Sequence, residues 1–254
     1  MEIERDRKGR ERHIHFGVLV VDDKYGLRLT KDNYAIVDNR FSFHLGRGTI
    51  YTVDYVRKYP DIYVIDEVTE INGKHYVTKL HYTDSWCEQH RQNCLRNLEL
   101  NKEFYASLDR TNFEKKVNAF LRKHTDFKPV VDLKEYEGVS GYYLMVLDEY
   151  KQVYIGTSDN IKKRIQGHWT IRKKFDRLLF GSVEESRISI DSFRALDTTR
   201  IYAYKTWNTY DKEDKYLRFF PDEYVCNRVA GGAMELGTVQ AFGTRKKREL
   251  GHKG

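Results

Sequence analysis

GYYLMVLDEYKQVYIGTSDNIKKRIQGH, residues Gly141 to His168, decides how this chain is read. Two short apolar runs, Tyr142 to Leu147 and Val153 to Gly156, flank the polar connection Asp148–Lys151, the pattern of a β-hairpin. A turn centred on Asp148 and Glu149 sets Tyr143 opposite Tyr154 with both phenols on one face; a slip of one residue would part them. A helix is expected directly afterwards. Ser158 or Asp159 can accept a hydrogen bond from the open amides of a first turn, and Ile161, Ile165 and Trp169 recur at helical spacing. Arg164 and His168, four apart, share the neighbouring face.

Outward from this stretch, the chain of 254 residues has room for one large or two ordinary domains, and two are expected. Its 45 Lys and Arg exceed its 38 Asp and Glu by the formal +7, with a sequence pI of about 9.1, which favours a polyanionic partner over an acidic one. Cys87, Cys94 and Cys226 make an odd set, and the N-terminal run MEIERDRKGRERH is charged where a signal peptide needs an apolar core. Both features predict a reducing, cytoplasmic setting. No apolar run approaches the roughly 18 residues of a membrane span, in keeping with a mean hydropathy of −0.73.

Residues 1–12 read as a flexible basic lead-in, with Arg5, Arg7, Lys8, Arg10 and Arg12 free to touch phosphates. Phe16–Val21, Tyr34–Val37, Thr49–Val56, Ile62–Val68 and His75–Leu80 are Val-, Ile- and Tyr-rich runs that predict an antiparallel sheet, with Asn72-Gly73 as a hairpin turn. From Trp86 to His124 the period becomes helical, with a break at Asp109 to Thr111 that separates two helices. Cys87, His90 and Cys94 have the spacing of one helical stripe, which reads better as packed thiols than as a zinc site. Residues 13–130 are thus expected to form a β-rich then helical module, and 139–230 a second domain, followed by a basic tail, 231–254. Lys173, Lys174 and Arg177 fall on a further helical pattern, Arg187 to Leu196 alternates, and Arg200 to Trp207 reads as a strand. A last helix is expected over Tyr210 to Phe220, ending at Pro221, with Tyr216, Leu217 and Phe220 buried and Glu213 on the same stripe.

The segment resembles the GIY-YIG nuclease family. Gly141-Tyr142-Tyr143 stands for the first triplet, Tyr154-Ile155-Gly156 matches the second, and Arg164 follows at the family's usual distance. The resemblance covers about Val139 to Asn227 and implies an α+β fold, a small antiparallel β-sheet flanked by helices, here preceded by an N-terminal antiparallel sheet plus helices. It implies a metal-dependent endonuclease that hydrolyses phosphodiester bonds in DNA, expected to be double-stranded, with Mg²⁺ or Mn²⁺ as cofactor. Because the family's homing and excision-repair members usually carry the nuclease unit first, the reversed order here fits a restriction-type, site-specific enzyme by analogy. The rival expectation is a non-catalytic nucleic-acid-binding protein that retains the fold.

Roles follow from the same resemblance. Arg164 can fork two donors onto phosphoryl oxygens and stays charged, which makes it the transition-state clamp. Tyr143, with Tyr154 beside it, orients or deprotonates the attacking water, and His168 assists a phenol that is otherwise a poor base. Glu213 matches the glutamate of the family's final helix that holds the metal, with Asp211 and Asp214 as competing candidates. Asn227 resembles the asparagine that follows that helix, at a longer interval here. Lys173, Lys174 and Arg177 are the expected contacts to the nucleic-acid backbone.

Overall fold

The computed structural model describes residues 4–22, 29–35, 42–43, 51–171, 173–207 and 212–228. It opens with three strands, β1 (Glu4–Arg5), β2 (Glu11–His15) and β3 (Val18–Asp22), and a helical turn, α1 (Lys31–Tyr34). Then come β4 (Ser42–Phe43), β5 (Tyr51–Thr52), α2 (Val53–Val56), β6 (Tyr63–Ile71) and β7 (Lys74–Tyr82). Helices α3 (Asp84–Ser107) and α4 (Arg110–Lys123) lead into β8 (Lys128–Pro129), β9 (Gly141–Leu147) and β10 (Gln152–Ser158). Helix α5 (Ile161–Thr170), strand β11 (Arg200–Lys205) and helix α6 (Glu213–Leu217) complete it. The expected mixture of small antiparallel sheets and helices is therefore present.

The chain divides into two units, one of residues 35–96 and one of residues 1–34 with 97–254. This departs from the expected boundary near residue 130, and the reason lies in the core of the larger unit. Strand β8 pairs with β11, and Phe113, Val117 and Phe120 of α4 join Tyr142, Leu144 and Val146 of β9 in one buried cluster. The second helix of the expected N-terminal module is thus a wall of the C-terminal sheet.

That sheet has the order β10-β9-β11-β8, all antiparallel. Every residue of β9 is buried, so both of its faces are covered. Tyr142, Leu144 and Val146 point with Val153 and Ile155 into the cluster shared with α4, with Tyr216 and Leu217 of α6 and with Phe220 just beyond it. Tyr143, Met145 and Leu147 point the other way, as the period of two requires, to the side where α5 packs through its buried Ile161, Ile165 and Trp169.

The hairpin register differs from the expected one by two residues. Tyr143 lies opposite Gly156 and Tyr154 opposite Met145, because Leu147 and Gln152 are the last pair and the loop holds all four of Asp148–Lys151. The Tyr150 amide bonds to Leu147, and Lys151 takes a positive φ of 52°, the left-handed step that closes the longer loop. A shift of two preserves the face, so both phenols still share it, as diagonal neighbours with ring centroids 6.1 Å apart. Gly156 now has a physical reason: a Cβ there would stand 2.4 Å from the Tyr143 phenolic oxygen.

Several local expectations change. Residues 4–12 are not a free lead-in, since β1 pairs with β2 in a three-stranded sheet and the Asp6 carboxylate accepts from the Lys8 and Arg10 amides to close the turn between them. Tyr34 ends a helical turn rather than starting a strand, Ala35 continues it as a turn, and Ile36 and Val37 of the expected run lie outside the described residues. Of Thr49–Val56, Tyr51–Thr52 is extended, and Thr52 then caps α2 by accepting from the Tyr55 amide, which buries Val53 and Val56 together. The Asn72-Gly73 turn forms with φ of 52° and 73°, and Asp109 caps α4 at the expected break. Helix α5 is capped by Asn160, whose side chain accepts from Lys163, while Ser158 receives the Asn160 amide one step earlier. Residues 173–177 hold only a 3-10 turn at Phe175–Arg177, and the alternating stretch Arg187 to Leu196 carries the short 3-10 turns Ile190–Ser192 and Ala195–Asp197.

Replacing Gly156 with alanine is expected to force Tyr143 off its seat and cost about 1–3 kcal/mol, the usual range for overpacking a filled core. Thermal unfolding followed by near-ultraviolet circular dichroism checks this, and an unchanged midpoint would show that the Tyr143 ring is not held against this glycine.

Candidate active site

Three side chains from three separate elements form a hydrogen-bonded row. The Tyr143 hydroxyl from β9 lies 2.9 Å from Nε2 of His168 on α5, and Nδ1 of His168 lies 2.7 Å from Oδ1 of Asp191. Asp191 sits in the 3-10 turn Ile190–Ser192, which is capped by the Ser189 hydroxyl. An ionised carboxylate only accepts, so Nδ1 carries the proton and donates to Asp191. Nε2 is then the acceptor and the Tyr143 hydroxyl the donor.

The electrostatics suit that assignment. Burial is the largest influence on His168 and pushes its pKa below the ordinary value, although the hydrogen bond that it donates to Asp191 works in the opposite direction. Burial also opposes the charge of Asp191, but the hydrogen bond it accepts from His168 and the neighbouring Lys173 and Arg164 charges work the other way, and the carboxyl stays below its usual range. Neutral imidazole beside ionised carboxylate is therefore the resting state at neutral pH. Burial drives the Tyr143 phenol well above its usual value, and Arg164 works against that shift. Burial likewise raises Tyr154, again opposed by Arg164.

Arg164 lies four residues before His168 and interacts with both phenols. It is exposed, whereas Tyr143 is 0 % exposed and Tyr154 intermediate. Among the residues expected at the site, Arg164 and Tyr154 thus face solvent while Tyr143 and His168 stand behind them. Ring contacts tie the group together, with Tyr154 and His168 centroids 4.8 Å apart in an edge-on arrangement.

Glu213 opens α6 and is 3 % exposed, close enough to both phenols to affect their charge. The Lys212 amide donates to the Tyr142 hydroxyl at 3.1 Å, which fixes the start of this helix against β9. Asp214 is drawn away into an ion pair with Arg218, and Asp211 lies outside the described residues. No group of three or more His, Cys, Asp and Glu side chains able to hold a metal occurs among the described residues. Glu213 fits only a cation that takes one protein carboxylate and fills its remaining positions from water or phosphate, a manner characteristic of Mg²⁺.

Asn227 has a different place. Its Oδ1 accepts from the Ile155 amide at 3.0 Å and its Nδ2 donates to the Ile155 carbonyl at 2.6 Å, so the side chain pairs with the backbone of β10. Lys173 reaches Asp191 at 3.7 Å, whereas Lys174 and Arg177 are exposed. Asp191 was missed by sequence reasoning. It is 23 residues from His168 in a stretch of irregular backbone, and its one local mark is the Ser189–Asp191 turn pattern.

Comparison with family models, with curated proteins and with solved structures finds no match to this chain. No helix among the described residues is long and apolar enough to cross a membrane.

The burial of His168 has a signed consequence. A histidine whose folded-state pKa lies below the unfolded value of about 6.5 stabilises the fold fully above that pH, and the contribution is lost as pH falls through the folded value. Asp191→Asn removes the charge that opposes the burial effect, so the His168 pKa is expected to fall further. Titration of the imidazole proton resonances measures it, and an unchanged or higher value would remove Asp191 from the pairing.

Proposed function

We propose that this chain is a metal-dependent endonuclease that hydrolyses phosphodiester bonds in double-stranded DNA, of the site-specific, restriction type. The observation that supports this reading best is the Tyr143–His168–Asp191 row beside Arg164 and Glu213. Hydrolysis needs a water attacking phosphorus in line, a route for its proton, and positive charge on the phosphoryl oxygens.

In this reading Arg164 leaves the two phenols to fork onto a phosphate, which uncovers them to the attacking water. Tyr154 orients that water and Tyr143 accepts its proton while passing its own phenolic proton to Nε2 of His168. The imidazolium so formed is balanced by Asp191. This division of labour answers the high phenol pKa, because Tyr143 never has to exist as an isolated phenolate. Glu213 would hold one Mg²⁺ or Mn²⁺, an ion that neutralises charge developing on the phosphate. Asn227 acts from behind, by holding the strand that carries Tyr154. Lys173, Lys174 and Arg177 lie beside α5 as backbone contacts, the first of them shared with Asp191.

The second reading, a nucleic-acid-binding protein without catalysis, draws on one observation, the complete burial of Tyr143. Incubation with mixed-sequence duplex DNA and Mg²⁺, with the ends mapped, decides between them. Cleavage by the wild type is expected to fall about a hundredfold or more in Arg164→Lys, which keeps charge but loses the planar fork. In Glu213→Gln cleavage should drop below detection with DNA affinity kept. Asp214→Asn is the control, expected to cut normally. Cutting by Glu213→Gln at the wild-type rate would eliminate the one-carboxylate metal site, and no cutting by the wild type would favour the binding protein.

A further inference from the structure

The basic excess is unevenly spread. Residues 35–96 contain as many acidic as basic side chains, so the whole +7 belongs to the other unit. Within that unit α4 concentrates it: Arg110, Lys115, Lys116, Arg122 and Lys123 stand against a single acid, Glu114. Glu114 is not available to them, because it holds Arg200 through hydrogen bonds of 2.9 and 3.2 Å. All five cations are exposed, and none has an ion pair among the described residues.

This is an unusual way to build a surface helix. Mixed signs at i,i+4 spacing stabilise a helix and like charges destabilise it by similar amounts, while a cation in the first turn opposes the helix dipole. Arg110 stands in that first turn. The buried side of α4 is Phe113, Val117 and Phe120, and none of the five cations belongs to that core. Lys115, Lys116 and Arg122 with Asn112 line one open groove, whose other wall is Pro221, Glu223 and Tyr224. Glu223 is the one carboxylate there. At the far end, burial first and then the Lys123 and Lys215 charges hold the His124 imidazole below its usual pKa.

Helix α4 covers the sheet face opposite to α5, and Tyr143 faces α5. The outer face of α4 and Arg164 therefore belong to opposite sides of that sheet. We propose that the outer face of α4 is a second, independent binding surface for the phosphate backbone of duplex DNA, separate from the segment presented to the Tyr143 site. The fit is one of length and charge. From Arg110 to Lys123 the helix extends about 20 Å, along which a duplex presents about a dozen phosphate charges. The choice of DNA as the partner rests on the nuclease reading, but the binding itself does not depend on cleavage.

The test is binding of a fluorescently labelled mixed-sequence duplex to the full chain, in chelator and without metal, across a KCl series. The variants are the triple Lys115→Gln, Lys116→Gln, Arg122→Gln and the double Lys174→Gln, Arg177→Gln. Each phosphate contact contributes about 0.9 to the slope of log affinity against log salt. The α4 triple is expected to lower that slope by about 2.7, equivalent to about fortyfold less weakening between 50 and 200 mM salt. It should unfold at the same or a higher temperature, since like charges have been removed, and it should cut a short duplex at the wild-type rate. An unchanged slope overturns the proposal, as does a slope carried wholly by the Lys174 and Arg177 double. Tighter binding of poly-glutamate than of duplex at equal charge overturns it in favour of an acidic protein partner. Failure of the nuclease reading is distinguishable, because it shows as no cleavage with Mg²⁺ while the salt slope still falls in the triple.

Discussion

A strand buried on both faces is the constraint from which the larger unit follows. Along β9 every second residue enters the cluster of α4 and α6, and the residues between them meet α5. No member of the strand can be moved by one position without exchanging its two faces. Tyr142 and Tyr143 illustrate the point. Adjacent in sequence and chemically identical, one anchors the start of α6 through the Lys212 amide and the other bonds to His168. The same alternation sets Tyr154 and Gly156 of β10 on the Tyr143 side, where the missing side chain of Gly156 leaves the space that the phenol fills.

The site is thus assembled from elements that the core already fixes. Ile161, Ile165 and Trp169 seat α5, and Arg164 and His168 then turn together toward the phenols. Asp191 reaches the imidazole from a segment with little regular structure, held by other means. The Ser186 carbonyl accepts from the side-chain amides of Asn97 and Asn101 on α3, and Arg187 donates to the carbonyls of Asp222 and Val225. Buried amides and guanidinium groups used in this way satisfy backbone carbonyls that no strand partner meets. They supply a long-range scaffold for a carboxylate whose value to the site depends on holding one proton on Nδ1.

How far this was legible in the sequence depends on whether the determining contacts were local. The hairpin, the α5 stripe and the buried face of α6 were, because each is a periodic pattern confined to one element. The face shared by Tyr143 and Tyr154 was also legible, although their pairing was not. Loop length sets register, and the positive φ of Lys151 that makes a four-residue loop leaves no mark as plain as Asn72-Gly73 does. The domain boundary failed for a related reason: a helix with an apolar stripe does not state which sheet it covers, and α4 proved to cover a sheet formed later in the chain. Asp191 was beyond reach, since its meaning comes from a histidine on another element. The asparagine at residue 227 was read as a site residue, but its amide is spent on the Ile155 backbone.

The burial that makes the row stable also limits what it can do at rest. A phenol with no solvent contact cannot meet a water, and a histidine whose acceptor nitrogen is filled by that phenol cannot take a proton from elsewhere. Among the described residues Arg164 is the cation that meets both phenols, and it is itself exposed, so the proposed chemistry requires its release. A phosphate is the ligand suited to draw it off, because both partners of a bidentate guanidinium–phosphate pair are ionised, whereas the phenols are neutral acceptors. Under this arrangement binding of the polyanion and exposure of the proton acceptor are one event, and the site stays closed to water until a phosphate is in place. The same logic explains why a clamp of this kind must be arginine. A lysine ammonium offers no planar fork, and would have to choose between the phenols and the phosphate with a single point of charge.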